Sequence, residues 1–268
     1  MIKIARGEHA MLKSYFTVAA RQLVKQKLYS AINIIGLAVG LACCLLIALY
    51  VRHELSFDRH YQNADRIYRI SRDFLFDDGR ERQRLAANAP VVAELLELDF
   101  PEIEQTARIY CCGSILAAGP DGAYFEDAYL ADNEIFELLD FEWLRGDPAG
   151  ALVEPYTMVV TESAARRYFG DSDPIGETLL IENQWPARIT GVLRDLPDNT
   201  HLQFRILISL PTTVAAFGPD FVEGWSSNNF HTYVMLEPGA DIASIEQQSG
   251  AFFDRHFHDE ASRNNEFA

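Results

Sequence analysis

Charge is absent from one long stretch of this 268-residue chain: no Asp, Glu, Lys or Arg lies between Lys27 and Arg52. Within it, Ala31–Val51 is apolar except for Asn33. At ~1.5 Å per helical residue that run can cross a ~30 Å hydrocarbon core. Cysteine is scarce: there are four, in two adjacent pairs, Cys43–Cys44 and Cys111–Cys112. Neighbouring cysteines bridge only with strain, so no disulfide framework is available. All four read as small apolar filler, with a vicinal Cys111–Cys112 disulfide as the minor alternative. Catalytic signatures are also missing. There is no G-x-x-x-x-G-K-[ST], which excludes nucleotide hydrolysis by a P-loop, and no G-x-S-x-G. His53-Glu54 is followed by Leu55, Ser56 and Phe57, so it is no H-E-x-x-H zinc motif. Basic residues are rare beyond the apolar run, where Arg52–Ala268 holds 17 Lys+Arg against 38 Asp+Glu. That balance argues against a nucleic-acid partner and favours plain solubility as its reason.

The N-terminal piece has the opposite balance. Met1–Lys27 carries Lys3, Arg6, Lys13, Arg21, Lys25 and Lys27 against Glu8 alone. Flanks rich in Lys and Arg stay cytoplasmic, so the N-terminus is expected inside and the acidic part outside, in the periplasm of a Gram-negative cell. A cleaved signal peptide would have a shorter apolar region and a small-residue cleavage site; Tyr50-Val51-Arg52-His53-Glu54 offers none. The expected organisation is a cytoplasmic basic segment over 1–30, a transmembrane helix over 31–51 and an outer domain over 52–268. Leu12–Leu28 has helical spacing of Leu12, Tyr15, Phe16, Ala19 and Leu23. It reads as an amphipathic helix on the inner leaflet or as an extension of the span. Gly36 and Gly40 form a G-x-x-x-G, a spacing that lets a second helix approach closely, so both are candidate helix-packing residues.

The outer domain alternates strand and helix patterns, which predicts an α+β fold. Strands are expected at Asp65–Arg72, Thr106–Ile115, Tyr124–Leu130, Tyr156–Val160, Phe204–Leu210 and His231–Leu236. Thr178–Ile181 and Ala187–Leu193 should pair around a turn at Asn183–Pro186. Helices are expected at Pro90–Leu98, at Asn133–Leu139 with Asp132 or Asn133 as cap, at Thr161–Phe169, at Pro211–Phe217 and at Ile242–Phe257. Gly170 and Gly176 suit a turn that needs permissive backbone angles. Asp254, His256, His258, Asp259 and Glu260 are metal-ligating types. On a helix, 256 and 258 do not share a face, so a solvated helix end is the expected reading. His201 follows Asn199-Thr200 in a turn, where a backbone hydrogen bond is a more ordinary role than catalysis. No catalytic, metal or cofactor residues are assigned. Asp58, Asp65, Arg66, Tyr68 and Arg69 follow the span closely. They read either as a coupling stalk or as a strand with exposed charges.

A series of blocks resembles one family. Asn33-Ile34-Ile35-Gly36-Leu37-Ala38-Val39-Gly40, Glu54-Leu55-Ser56-Phe57-Asp58 and Asn63-Ala64-Asp65-Arg66-Ile67-Tyr68-Arg69-Ile70 come first. Val159-Val160-Thr161-Glu162-Ser163-Ala164-Ala165 with Tyr168-Phe169-Gly170 and Asp173-Pro174-Ile175-Gly176 is the most specific stretch. Thr190-Gly191-Val192, Asp195-Leu196-Pro197 and Asn199-Thr200-His201-Leu202 complete it. Over roughly 12–238 the chain resembles the start of a MacB/FtsX-type ABC transporter permease.

The resemblance implies a first transmembrane helix joined to a MacB-like periplasmic core domain in the cell inner membrane. It implies mechanotransmission, in which a separate cytoplasmic ABC ATPase subunit binds ATP and its motion reaches the periplasm. The expected partners are that ATPase, a second permease copy, a periplasmic client or adaptor, and the lipid bilayer. Such permeases continue with three more spanning helices. None occurs before Ala268, so the chain is expected to be an N-terminal portion. The alternative is a stand-alone signal-anchored binding or sensor module; a membrane-anchored enzyme has no catalytic constellation to support it.

Overall fold

A computed structural model describes residues 18, 21–74, 83–224, 227–256 and 265–267. The chain divides into two compact units, Met1–Phe57 and Asp58–Ala268. In the first, helix α1 spans Lys27–Glu54, with no buried residue. Its most apolar window has a mean hydropathy of 2.7, so by length and composition it can cross a membrane. It outruns the apolar run at both ends. About half of the amphipathic helix expected over Leu12–Leu28, residues 12–17 and 19–20, lies outside the described residues. Residues 21–25 are helical, and Gln26, at φ −112° and ψ 58°, separates them from α1.

The second unit begins at Asp58. Its elements are β1 (Ile67–Ile70), β2 (Arg72–Phe74), β3 (Gln83–Leu85), α2 (Val92–Asp99), β4 (Ile103–Gly119), β5 (Gly122–Ala131) and α3 (Ile135–Leu138). Then follow β6 (Trp143–Gly146), β7 (Thr157–Thr161), α4 (Glu162–Phe169), β8 (Thr178–Ile181), β9 (Trp185–Leu193) and β10 (Ile206–Ser209). The rest are α5 (Pro211–Phe217), α6 (Asp220–Glu223), β11 (Phe230–Leu236), α7 (Ile242–His256) and β12 (Asn265–Phe267). The main sheet runs β1-β11-β4-β5-β10-β7-β9-β6, and β8 pairs with both β4 and β9. Through β8 the ladder β4-β5-β10-β7-β9 closes on itself. A small sheet, β12-β2-β3, stands apart from it.

Closure explains why β7 and β10 are buried at every position. Alternate side chains face opposite sides of a strand. Met158, Val160, Ile206 and Ile208 belong to a core that also holds Ile115, Ala128, Leu179 and Ile189, inside the ring. Val159 and Leu207 belong to a second core outside it, covered by Ile135 and Leu138 of α3, with Tyr61 and Tyr233. A third core packs Val92 and Leu96 of α2 and Phe252 and Phe253 of α7 onto Ile70, Val234 and Leu236.

Local departures from expectation have identifiable causes. The cap expected at α3 is absent: neither Asp132 nor Asn133 caps it, and Glu134 stands at the N-cap without a side-chain bond. Asp132 instead accepts from Nε of Arg108 at 2.8 Å, and Asn133 accepts from the backbone N–H of Leu152 at 2.9 Å. Both side chains are committed to long-range partners. At α4, Thr161 accepts from the N–H of Ala164 at 3.4 Å, and Asp195 supplies a shorter bond, 3.0 Å, from Ser163. The β8–β9 turn is tighter than expected, with Glu182 and Asn183 at positive φ and Trp185 and Pro186 already in the strand. In β4, register slips between Cys111 and Gly113, so Cys112 is an extra, bulged residue. Gly170 and Gly176 sit at φ 58° and 87°, as their turns require.

Candidate functional site at the start of the second unit

Asp58 opens the second unit in a left-handed conformation, φ 56°, which Asp tolerates better than most residues. Its backbone N–H donates to the carbonyl of Asn199 at 3.0 Å. Its Oδ1 accepts from Thr200 Oγ1 at 2.7 Å and from the N–H of His201 at 3.1 Å. Oδ2 lies 2.7 Å from His201 Nδ1, and His201 Nε2 lies 2.5 Å from the hydroxyl of Tyr233. One carboxylate therefore fastens the loop 199–201 and, through His201, strand β11.

Tyr233 is 3% exposed. Burial pushes its phenol above the ordinary value, with Arg69 opposing and Asp58 reinforcing. The Asp58 carboxylate can only accept, so the nearby Nδ1 carries a proton, and in the neutral ring Nε2 accepts from the Tyr233 hydroxyl. Desolvation alone would raise the Asp58 carboxyl. The bonds from Thr200, the His201 N–H and the His201 ring outweigh it together and hold Asp58 below the ordinary carboxylate range. Asp58, Tyr61, Ile67, Arg69, His201 and Tyr233 border a cavity of about 300 Å³.

The five residues expected as a coupling stalk separate into groups. Strand alternation sends Arg69, paired with Tyr233, to the cavity with Asp58. Tyr68 packs on the third core instead, its hydroxyl bonded to the carbonyl of Asp65. Asp65 is exposed. Arg66 donates from Nε to the carbonyl of Leu236 at 2.9 Å and pairs with Glu104, so it clamps the ends of β11 and β4. Gly36 and Gly40 lie one turn apart in α1, and a Cβ added to either meets nothing within 4 Å.

Thr200, Tyr233 and the ring of His201 were missed in the sequence reading. The backbone N–H of His201 does bond, but to a side chain 143 residues away. The legible signal was Asn199-Thr200-His201-Leu202 recurring as a family block. His256 pairs with Asp99 at 2.8 Å, as does Arg255 at 2.6 Å. His258, Asp259 and Glu260 lie outside the described residues. The cysteines are free. Cys112 packs on the ring core, and burial pushes its thiol up to about 12; Cys111 is exposed, so apolar filler does not describe it.

Acid should expose these carboxylates. Asp195 is also held low: desolvation raises it, and bonds from the Ser163 N–H and from the Ser163 and Thr161 side chains together prevail. A carboxylate depressed in the fold stabilises fully above its unfolded value and loses that contribution as pH falls through its folded value. Glu134, raised mainly by burial, acts in the opposite sense. The melting temperature of the full chain should hold down to about pH 5 and fall below about pH 4. Asp58→Asn should flatten that fall, which a pH series of thermal melts checks.

The closed mixed sheet of the second unit is similar in fold to three solved domains. A domain assigned to a permease protein of Porphyromonas gingivalis matches with TM-score 0.68 at 22% identity, over 79% of this chain and 92% of that one. The periplasmic region of MacB from Actinobacillus actinomycetemcomitans matches with TM-score 0.51 at 14% identity, over 74% and 87%. The extracellular domain of the noncanonic ABC-type transporter YknZ from Gram-positive bacteria matches with TM-score 0.52 at 14% identity, over 75% and 100%. No curated protein matches the chain. Residues 30–251 match the family model of the MacB-like periplasmic core domain, and the chain belongs to that family. The family is a transporter permease component, and with its apolar helix this chain fits a membrane protein.

Proposed function

We propose that this chain is the N-terminal portion of an inner-membrane ABC permease subunit that transmits the ATP cycle of a separate cytoplasmic ATPase to the periplasm. The family membership supports the permease context. The observation that carries the coupling is that Asp58, three residues beyond the Glu54–Leu55 end of α1 in sequence, fastens both the 199–201 loop and β11. Residues 55–58 are the covalent path by which a shift of α1 would reach the domain. On this reading the unit works as a permease dimer, binds a periplasmic client or adaptor, and holds no cofactor itself.

Orientation is the first test. The basic flank places the N-terminus in the cytoplasm. Alkaline phosphatase fused after Ala268 should be active in cells, and a green fluorescent protein fused there by the same route should stay dark. A bright, phosphatase-negative pair would overturn the reading.

A further inference from the structure

A second cavity opens onto the ring core, a different core from that beside Asp58. It is about 300 Å³ and is bordered by the inward-facing Ile115, Leu130, Ile181, Ala187 and Ile208. Its outer wall is aromatic: Tyr110, Trp185, Phe217 and Phe221. Trp185 meets Phe217 edge-on at 5.6 Å, Phe217 stacks on Phe221 at 5.8 Å, and Phe221 meets Tyr110 at 5.7 Å. Phe217 is 60% exposed although it belongs to this wall.

The threonine hydroxyls and one Glu182 carboxylate oxygen along the cavity are already engaged. Thr212 Oγ1 accepts from the N–H of Tyr156 at 2.8 Å and bonds Ser209 at 2.7 Å. Thr213 donates to the carbonyl of Leu210 at 2.7 Å. Glu182 Oε1 accepts from the N–H of Leu116 at 2.7 Å, and Glu182 is exposed at the rim. A space walled mainly by aliphatic and aromatic side chains, with its threonine hydroxyls satisfied, offers water few partners and favours hydrocarbon. An engineered cavity of ~150 Å³ holds benzene, so this one has room for a chain on the order of ten carbons.

We infer that this cavity takes the alkyl chain of a single-chain amphiphile whose head group is cationic or uncharged. The chain is chosen by the hydrocarbon walls. The head is chosen by the Glu182 carboxylate at the rim and by the acidic excess from Arg52 to Ala268, both of which repel an anion. This assignment is independent of whether the ATPase coupling proposed above is correct.

The test uses the full chain in phosphatidylcholine nanodiscs with isoleucine methyl groups labelled for NMR, titrated with hexylammonium and, separately, with hexanoate. Ile34 and Ile47 of α1 report partition into lipid. Hexylammonium should give saturable shifts at Ile115, Ile181 and Ile208, and hexanoate should bind at least about threefold more weakly. Ala187→Leu and Ala216→Leu each put added carbon into the cavity, and either should weaken hexylammonium about tenfold. If tight packing prevents Ala187→Leu from folding, the partly exposed Ala216 still serves. Shifts that never saturate, that persist unchanged in the folded filling variants, or that favour hexanoate would overturn the assignment.

Discussion

In the complete permease, Asp58→Ala is expected to free the 199–201 loop from the nucleotide cycle while leaving ATP hydrolysis intact. The substitution removes the acceptor of the Thr200 hydroxyl, the His201 N–H and the His201 ring at one stroke. It also puts alanine at φ 56°, a conformation that costs an ordinary residue ~1 kcal/mol. Hydrogen bonds to a charged group are each worth ~1.5–3 kcal/mol, and Asp58 is a third exposed, so the lower part of that range applies. Bonds that share one acceptor are not additive and water replaces part of what is lost, so a net local loss of about 2–3 kcal/mol is expected, which speeds amide exchange at His201 ~30–150-fold. Hydrogen exchange in nanodiscs reads this directly. In the wild type, exchange at 199–202 should change on adding ATP and vanadate. In Asp58→Ala it should be fast and indifferent to nucleotide. Asp58→Asn keeps an acceptor and tolerates the left-handed backbone, so it should lie between the two. A nucleotide response as large in Asp58→Ala as in the wild type would remove Asp58 from the coupling path.

The second large effect is expected in α1. Gly36→Leu combined with Gly40→Leu should leave the helix formed and inserted, since a Cβ at either position meets nothing within 4 Å. Helix propensity improves by ~1 kcal/mol at each site. What the leucines remove is the flat strip on which a second helix can pack. The assembled fraction of the permease should fall at least about tenfold, equivalent to ~1.4 kcal/mol, while Gly→Ala at both sites should cost much less. Native gel electrophoresis of the solubilised complex checks the outcome. Full assembly of the double-leucine variant would deny these glycines a packing role.

The sequence made some layers of this structure legible and hid others for physical reasons. Alternation marked β1, within the expected Asp65–Arg72 strand, and β8 likewise alternates exposed and buried positions. In β7 and β10 both faces are buried, so length and neighbouring turn residues had to locate them. The α1 span and the positive φ of Gly170 and Gly176 followed from composition and turn chemistry. Ring closure did not, because the pairing of β8 with β4 joins Ala117 to Ile181 without a local signature. The same limit applied to the site. Asp58 was legible as a residue near the membrane run, but its link to His201 depends on how the fold brings distant segments together. The capping preference of Asp132 yielded to Arg108 for the same reason: a long-range charged partner outcompeted a local backbone bond.

The most direct measurement is made on the native product. An antibody raised against the second unit should be used to purify the protein from mildly solubilised membranes, with the chain sized and the preparation assayed for ATP hydrolysis. The account predicts a chain well longer than 268 residues that co-purifies with a P-loop ATPase and hydrolyses ATP. A product of 268 residues, without an ATPase and without nucleotide turnover, would contradict it.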